Sequence, residues 1–338
     1  MEYVYGKEID IFQLKKPVLN NIREHLEKTK KITDFLSDNE IPVEQRECYI
    51  CGNKESRLVV NIHGFPYVEC TNCSHVYTNK RYSEESIRRF YQKNAYWSEI
   101  TYANKETCFY RRDHVALPKV EFAEKHLGIS RGKWIDVGSG IGDLVSVLLS
   151  RGWSAYGLEL SESSVNFAKD TFNVFLMNQT LQEFIAVHSE NSEKMDVVSF
   201  IGLLEHVINP LNHLSMAHSL LKSGGAVMIQ VPNAHSVASM TQSLFPENVF
   251  RHMSPSEHIM LFTEKSLITA LEKTGFTPVV IWYHGLDIYE LLNNLILVNP
   301  RVQDSELYRA FIDNINELQL IFDKKGQSDR IICIAIKN

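Results

Sequence analysis

Four cysteines near the amino terminus have the spacing of metal ligands. Cys48 and Cys51 form one C-x-x-C pair, Cys70 and Cys73 form a second, and eighteen residues separate the pairs. This spacing is typical of a zinc site in which four thiolates complete a tetrahedral shell. Because a complete shell leaves no open position, we expect a structural zinc that supplies folding energy to a region with little core of its own.

A glycine-rich loop follows an apolar segment in the middle of the chain. The stretch WIDVGSGIGD places Gly138, Gly140 and Gly142 at alternate positions, with Asp136 before them and Asp143 after them. The stretch lacks the lysine of a phosphate-binding P-loop, and its third glycine comes one residue too early for the dinucleotide fingerprint. An aspartate at the start of the next helix would also repel a pyrophosphate. An uncharged or zwitterionic ligand therefore suits this loop better.

A second acidic group follows at the end of the next predicted strand. The segment YGLEL places Glu159 there. A carboxylate in this position can accept two hydrogen bonds from a ribose diol, and its charge disfavours a 2′-phosphate. Together with the glycine loop, Glu159 predicts a site for a nucleoside without phosphates.

Strands that alternate with helices hold these groups in place. The alternation predicts a parallel sheet with helices on both faces. The predicted strands are KWIDV, SAYGLEL, NVFLM, MDVVSFI, AVMIQVP, residues 277–283 and DRIICIAIKN. The predicted helices are 18–38, 83–95, 112–127, 142–151, 162–171, 180–188, 211–221, 264–274, 286–296 and 304–324.

The bulk composition excludes several classes of protein. The chain has 338 residues, 44% of them hydrophobic, and a formal net charge of -6. The acidic balance and the lack of a basic stripe argue against a nucleic-acid partner. No apolar run approaches the roughly 18 residues of a membrane span, and the amino terminus has no signal-peptide core. We therefore expect a cytoplasmic protein.

The motifs together resemble a known enzyme family. The pattern D-x-G-x-G-x-G, the acidic strand end, LLEHVINP and the GG-strand-PN segment resemble class I S-adenosylmethionine-dependent methyltransferases. They are most similar to the small-molecule enzymes of ubiquinone biosynthesis and sugar modification, over residues 110–283. The resemblance implies an α/β fold, a Rossmann-like seven-stranded methyltransferase sheet with helices on both faces. It also implies S-adenosylmethionine as the cofactor.

The resemblance also implies which residues would hold that cofactor. The aspartate and the glycine loop would surround the methionine end, Glu159 would bind the ribose, and residues after the second and third strands would flank the adenine. Asn178 and Gln179 stand where many relatives carry an aspartate, so the adenine contact is less well defined. The implied cofactor residues are Asp136, Gly138, Ser139, Gly140, Gly142, Glu159, Leu160, Thr180, Leu181, Ile201, Gly202 and Leu203.

The sequence divides into four predicted parts. Residues 1–42 form an N-terminal helical segment, 43–80 a small zinc ribbon, and 81–110 a helical and aromatic linker. Residues 111–338 form the methyltransferase domain. Within it we expect a lid over 233–262 and a helical insertion over 286–324, which provides an acceptor wall or a homodimer surface.

Histidines are the candidates for the acceptor chemistry. Methyl transfer to a hydroxyl or a carbon acid needs a base, and histidine suits this role near neutral pH. His206, His235 and His258 lie where the acceptor should bind, and His252 lies in the same predicted lid. His206 has a structural cap as its alternative role, and His258 has simple closure of the lid. Tyr91, Tyr96 and Trp97 are candidates to cover the cofactor or the acceptor.

The acceptor itself is less well defined by the sequence. A four-cysteine ribbon before this core resembles the N-terminal part of sugar C-methyltransferases, although this chain ends before a full C-terminal domain of those enzymes. We expect a small-molecule acceptor, a sugar linked to a nucleotide or a polysaccharide, with O-methylation slightly favoured over C- or N-methylation. The alternatives are a nucleic-acid or protein methyltransferase that uses the ribbon for recognition, and a non-catalytic cofactor-binding scaffold.

Overall fold

The computed structural model describes most of the chain. Most of the predicted helices over 18–38 and 83–95 lies outside the described residues, as do Tyr91, Tyr96 and Trp97. The described residues are 1–19, 26, 27, 30, 42–83, 85, 86, 105–188, 194–248 and 251–338. Among the helices in these ranges, none combines the length and the apolar character needed to cross a bilayer.

The strands form two main sheets. The larger sheet has seven strands in the order β1-β12-β13-β10-β9-β7-β8. It is parallel, as predicted, except for β13, which runs antiparallel to β10 and β12. The described strands are β1 (Glu2–Tyr5), β2 (Val43–Glu44), β3 (Ser56–Ile62), β4 (Phe65–Cys70), β5 (Val76–Thr78), β6 (Lys80–Arg81), β7 (Lys133–Val137), β8 (Ser154–Leu158), β9 (Met195–Ile201), β10 (Leu221–Pro232), β11 (Met260–Leu261), β12 (Phe276–His284) and β13 (Arg330–Lys337).

Helices cover both faces of the seven-stranded sheet. On one face, Trp134 and Trp153 belong to an apolar cluster with Leu144 and Val280. The described α-helices are α1 (Ile11–Leu19), α2 (Lys105–Arg111), α3 (Leu117–Leu127), α4 (Asp143–Ser150), α5 (Glu162–Phe172), α6 (Leu181–His188), α7 (Pro210–Leu220), α8 (Val237–Leu244), α9 (Glu264–Lys273), α10 (Asp287–Val298), α11 (Glu306–Asp313) and α12 (Ile315–Asp323). A π-helical turn over Arg112–Ala116 joins α2 to α3.

The identity of the seventh strand differs from the prediction. NVFLM was expected to be a strand, but Asn173 adopts a left-handed conformation (φ 54°) that ends α5, and only Met177 forms a bridge, to Leu158. The seventh strand is instead β1, which pairs in parallel with β12. The predicted N-terminal helical segment, residues 1–42, therefore begins with a strand. Its partner strand lies more than 270 residues away, which local patterning does not reveal.

The cysteine region and the predicted lid share one smaller sheet. Its strand order is β11-β5-β4-β3, and β11 comes from the end of the predicted lid. Met260 and Leu261 of β11 pair antiparallel with Tyr77 and Val76 of β5. The apolar core of the larger sheet also continues into the cysteine region. The ribbon is therefore packed directly onto the domain that carries the glycine loop.

The carboxyl ends of the parallel strands meet at one edge of the larger sheet. This carboxyl edge carries the glycine loop after β7, Glu159 after β8 and the predicted histidines after β9 and β10. Because β13 runs in the opposite direction, its first residue, Arg330, lies at the same edge, opposite His284 of β12 and Pro232 of β10. Ligands of open α/β sheets bind at such an edge.

Candidate active site

The three glycines of the loop have different roles. Gly138 and Gly142 have positive φ, and a Cβ would lie 3.0 Å from Leu203 at the first and 3.2 Å from Ala168 at the second. They therefore permit close packing of the chain. Gly140 also has a positive φ of 53°, but no atom lies within 4 Å of the position of its missing Cβ. Its backbone faces open space, which leaves room for a ligand to approach.

Asp136 lies beneath this loop and is almost fully buried. Its Oδ1 accepts a hydrogen bond from the Ser199 hydroxyl at 2.6 Å, and Trp134 Nε1 donates to Ser199 at 2.8 Å. The Ser139 hydroxyl donates to the carbonyl of Asp136 at 2.8 Å. Burial raises the pKa of Asp136 to about 7. These contacts fix the start of the loop against the neighbouring strand β9.

Glu159 links the end of β8 to the glycine loop. Its two carboxylate oxygens accept hydrogen bonds from the backbone N–H groups of Gly140 and Ser161, each at 2.8 Å. Burial raises the pKa of Glu159, and these backbone donors oppose the rise. Because each oxygen has a second lone pair, the carboxylate still has the capacity to bind a diol.

The predicted adenine contacts are only partly at the cleft. Thr180 immediately precedes α6, and its hydroxyl accepts from the Glu183 N–H at 3.1 Å. The Glu183 carboxylate accepts from the Thr180 N–H at 2.7 Å. Leu181 is buried in the core, whereas Leu160 is half-buried. The Asn178 side chain donates to the Glu159 carbonyl at 2.9 Å, so this side chain joins the candidate site.

The segment after β9 forms the next wall of the site. Ile201, Gly202 and Leu203 are half-buried, and Leu203 packs against Gly138. The backbone N–H of Gly202 donates to the carbonyl of Gln230 on β10 at 2.9 Å. The structure therefore brings these three predicted residues next to the glycine loop.

Two histidines and a glutamate gather directly beyond this wall. The rings of His206 and His258 have centroids 4.7 Å apart, and His206 Nε2 lies 3.9 Å from Glu205 Oε1. Nδ1 of His206 contacts the carbonyl of Glu257 and Nδ1 of His258 contacts that of His252, both at 2.8 Å. Donation from Nδ1 to a carbonyl fixes a neutral tautomer in which Nε2 is the basic nitrogen.

The charge states in this cluster follow from burial. Burial lowers the pKa of His206 to about 4 and the pKa of His258 well below its ordinary value. It raises the pKa of Glu205 to about 8. Near neutral pH both imidazoles are therefore neutral, and Glu205 carries a proton for most of the time. Among the described residues, Nε2 of His258 has no hydrogen-bond partner, which leaves it available to a substrate.

The small sheet holds the His258 segment in place. The Tyr67 hydroxyl of β4 donates to the carbonyl of His258 at 2.8 Å, and the Thr78 N–H donates to the carbonyl of Ile259 at 2.9 Å. The Ile259 N–H in turn donates to the carbonyl of Glu205 at 3.1 Å. The sequence analysis did not identify Tyr67 and Thr78, because nothing local to their segments indicates a contact with a residue about 180 positions away.

The side chains of the other two predicted histidines have different partners. His235 has a side chain that is 55% exposed and lies 3.7 Å from Glu69 Oε1 of β4. His252 is buried, with Nε2 2.9 Å from Glu290 Oε2, and burial lowers its pKa. The geometry therefore favours His258 and His206 over His235 and His252 as groups that face an acceptor.

The four cysteines converge as their spacing predicts. Sγ of Cys48 lies 3.5 Å from that of Cys73, and Sγ of Cys51 lies 3.4 Å from that of Cys70. All four sulfur atoms lie within 4.8 Å of one another, and none forms a disulfide. A tetrahedral zinc with Zn–S bonds of about 2.3 Å requires sulfur separations of about 3.8 Å, so the arrangement fits the ion with small adjustments.

The backbone around the cysteines has the turns that such a site needs. Gly52 (φ 78°) and Ser74 (φ 58°) follow the two pairs with positive φ. The Gly52 N–H donates to the Cys48 carbonyl at 2.9 Å, and the Ser74 N–H donates to the Cys70 carbonyl at 3.0 Å. His75 is buried with Nδ1 3.3 Å from the Ser266 hydroxyl, which ties this turn to α9.

Comparison with known proteins places the chain in one family. A family model described as a methyltransferase domain matches residues 109–280. This range contains the glycine loop, Glu159 and the cluster of Glu205, His206 and His258.

The individual proteins that this chain resembles share only low sequence identity with it. The chain is similar to the ubiquinone biosynthesis O-methyltransferase of Coxiella burnetii, with 25% identity over 174 residues that cover 50% of this chain and 74% of that protein. The protein of the same name from Methylococcus capsulatus is 24% identical over 180 residues, which cover 49% and 76%. The solved structure of a SAM-dependent methyltransferase from Archaeoglobus fulgidus is 19% identical in sequence and has a TM-score of 0.45. The match covers 67% of this chain and 94% of that chain.

Proposed function

Since this chain belongs to the methyltransferase-domain family and is an S-adenosylmethionine-dependent methyltransferase, we propose that it methylates a hydroxyl of a sugar or a sugar-linked small molecule. The observation that carries the proposal is the neutral His258, whose Nε2 faces the site with no partner among the described residues. A neutral imidazole with a free nitrogen can accept a proton from a hydroxyl. The relatives named O-methyltransferases also favour oxygen as the accepting atom.

The cofactor fits the residues of the glycine loop. The open space at Gly140 would take the methionine end, and Glu159 would accept hydrogen bonds from the ribose diol. Leu160 and Asn178 would border the adenine, with Thr180 and Leu181 behind them at the start of α6. The bound cofactor supplies a methyl group on a positively charged sulfur. Leu203 and Gly202 would lie beside that methyl group and exclude water from it.

The reaction needs alignment and removal of one proton. The cofactor held at Gly140 and Glu159 would supply the methyl group that the acceptor oxygen receives. His258 Nε2 takes the hydroxyl proton, while the carbonyl of His252 holds the other ring nitrogen in its protonated form. His206 and Glu205 complete the polar wall, and Glu205, with its pKa raised to about 8, donates rather than accepts a hydrogen bond near neutral pH.

The ribbon would act through its structure rather than through chemistry. Cys48, Cys51, Cys70 and Cys73 would hold one zinc ion, which has no open position for a substrate. The strands that this ion stabilises carry Tyr67 and Thr78, which bind the His258 segment. In this proposal the zinc keeps the base in position.

A transfer assay tests the proposed acceptor. Full-length protein is incubated with methyl-labelled S-adenosylmethionine and panels of nucleotide-linked sugars, free sugars and simple phenols. We expect label in the sugar panels, on oxygen, and loss of transfer in His258→Gln. Label only in phenols, in protein or in nucleic acid would contradict the sugar acceptor while leaving the methyltransferase assignment intact.

A further inference from the structure

Basic side chains gather where the carboxyl ends of β1 and β12 meet the start of β13. Lys7 lies two residues after β1, His284 ends β12, Arg330 begins β13, and Lys119 lies on α3. We call these four residues the cation cluster. In the sheet, Arg330 is the direct partner of His284. Lys7 Nζ lies 5.9 Å from the centroid of the Trp282 ring, so it lies over the same pair of strands.

Within the cation cluster, Lys119 and His284 are buried, and Lys7 and Arg330 are half-buried. Lys119 is 6% exposed and His284 is 1% exposed. Within the described part of the chain, neither ring nitrogen of His284 nor the ammonium group of Lys7 has a hydrogen-bond partner, and Lys119 has no hydrogen bond or ion pair. Buried polar groups normally have partners, and an ammonium group without one costs free energy. Such a group therefore points to a ligand.

The neighbouring carboxylates are occupied elsewhere. Glu290 and Asp329 both contact Arg251, and Asp329 Oδ1 lies 3.7 Å from Arg330 Nε. Asp287 accepts hydrogen bonds from the N–H groups of Ala238 at 2.9 Å and of Asp329 at 2.8 Å. Of the cation cluster, only Arg330 is therefore near one of these acids.

The positive charges are close enough to act on one another. Burial lowers the pKa of Lys7 to about 6, and the charges of Lys119, Arg330 and Arg111 contribute to the shift. Burial lowers the pKa of Lys119 to about 7, and Arg330 and Arg111 again contribute. Asp143 and Asp136 act on Lys119 in the opposite direction, which locates Lys119 on the side of the cluster nearest the glycine loop.

We infer that the cation cluster binds an anionic group of the methyl acceptor, a phosphate or a carboxylate, at the opposite end of the site from the adenosine. The inference rests on the proposed function for the position of the acceptor. β12 and β9 are separated by β13 and β10, which corresponds to about 14 Å at the usual strand spacing. An acceptor that reaches from His258 to the cation cluster is therefore longer than one sugar ring and ends in an anion.

The test uses full-length protein saturated with S-adenosylhomocysteine, titrated calorimetrically with inorganic pyrophosphate and, separately, with malonate. We expect wild type to bind at least one of the two probes, and the preferred probe identifies phosphate or carboxylate. Lys7→Gln and Lys119→Gln should each weaken that binding about tenfold, because each removes a charge-assisted contact. Lys7→Arg should restore it. Lys125→Gln, on the exposed side of α3, is the matched control and should bind like wild type.

A second readout distinguishes ligand binding from a structural role. If Lys7 and Lys119 are partly deprotonated in the ligand-free protein, an arriving anion raises their pKa and the complex takes up protons. The measured enthalpy in wild type should then depend on the ionisation enthalpy of the buffer, and this dependence should shrink in both glutamine variants.

Three results would overturn the inference. The first is no binding of either probe to the S-adenosylhomocysteine complex, and the second is equal binding by wild type and both variants. The third is competition between the probe and S-adenosylhomocysteine, with weaker cofactor binding by Lys119→Gln, since the cluster would then hold the cofactor carboxylate. Failure of the proposed sugar methylation would appear instead in the transfer assay, with probe binding retained.

Discussion

The two ends of the carboxyl edge carry different ionisable side chains, carboxyl groups at one end and basic groups at the other. At the β7 and β8 end, Asp136 and Glu159 lie around a glycine loop with open space at Gly140. At the β1, β12 and β13 end, the cation cluster is partly or fully buried and nearly free of carboxylate partners in the described chain. Between them, after β9, lies the uncharged pair of His206 and His258.

This difference explains how two substrates can bind without competing. A methyl donor with a positive sulfur is favoured at the acidic end, and an anionic acceptor is favoured at the basic end. In the proposed reaction both substrates would meet at the neutral histidines, where His258 would take up a proton. Variants at one end should therefore change the affinity for one substrate and leave the affinity for the other unchanged.

The largest expected effect comes from the zinc. Metal analysis of wild type should find one zinc per chain, and Cys73→Ser should lose it. Because the ribbon strands hold His258 through Tyr67 and Thr78, turnover in Cys73→Ser should fall by about 10²–10⁴, as for loss of a general base. Affinity for S-adenosylhomocysteine should stay close to that of wild type.

Cys108→Ala provides a control for the zinc experiment, since Cys108 lies on α2 outside the ribbon and should leave the zinc content unchanged. Wild-type protein that is folded and active without zinc would refute the metal site. Loss of cofactor affinity in Cys73→Ser would show that the ribbon supports both ends of the edge.

The next effect concerns the base itself. In His258→Gln we expect kcat to fall by about 10²–10⁴ with cofactor affinity unchanged, because the amide cannot take up the acceptor proton. His235→Gln should lose much less, since its side chain is exposed beside Glu69. Steady-state kinetics on both variants makes the comparison. A larger loss of kcat in His235→Gln than in His258→Gln would indicate that His235 is the base.

At the acidic end, Glu159→Gln should weaken S-adenosylhomocysteine binding about tenfold, since a charge-assisted acceptor for the ribose is lost. The KM for the acceptor should not change. Glu162→Gln, at the exposed start of α5, is the matched control. Calorimetry gives both affinities. An unchanged affinity in Glu159→Gln would show that this carboxylate does not bind the ribose.

The smallest effect is the pH dependence of stability at the basic end. The pKa of Lys119 is about 7 in the folded protein and 10.5 as its ordinary value. Between these values the unfolded chain binds more protons, so stability rises with pH; below about pH 7 the cost of the buried charge is complete. Lys119→Met should therefore be more stable than wild type near neutral pH, and this advantage should shrink towards pH 10.

Denaturant unfolding at several pH values checks this, with Lys125→Met as the exposed control. The other groups that act on Lys119 are Asp136, Asp143, Arg111 and Arg330, and they are present in both proteins. An advantage of Lys119→Met that does not change with pH would mean that Lys119 keeps its ordinary pKa.

The sequence predicts the two ends of the edge unequally. The acidic end follows from short contiguous segments, because a tight turn after a strand fixes Gly138, Gly140 and Glu159 by local geometry. The basic end depends on β1, which pairs with a strand more than 270 residues away and was not predicted. Lys7 and Arg330 come together only through that pairing and the reversal of β13.

The histidines show the same limit on a smaller scale. The positions of His206 and His235 after two strands, and of His258 in the predicted lid, make all three candidates. Only the pairing of β11 with β5 distinguishes them, because it fixes the His258 segment and leaves His235 exposed. In NVFLM a local pattern misleads instead. Its apolar residues resemble a strand, but its first residue, Asn173, ends α5 in a left-handed conformation.

A crystal structure with S-adenosylhomocysteine and pyrophosphate, both added to full-length protein, tests the separation of the two ends most directly. The account predicts the ribose on Glu159, the amino-acid end at Gly140 and the pyrophosphate within the cation cluster, with His258 between them. Pyrophosphate on the glycine loop, or the adenosine group at the β12 and β13 end, would contradict it.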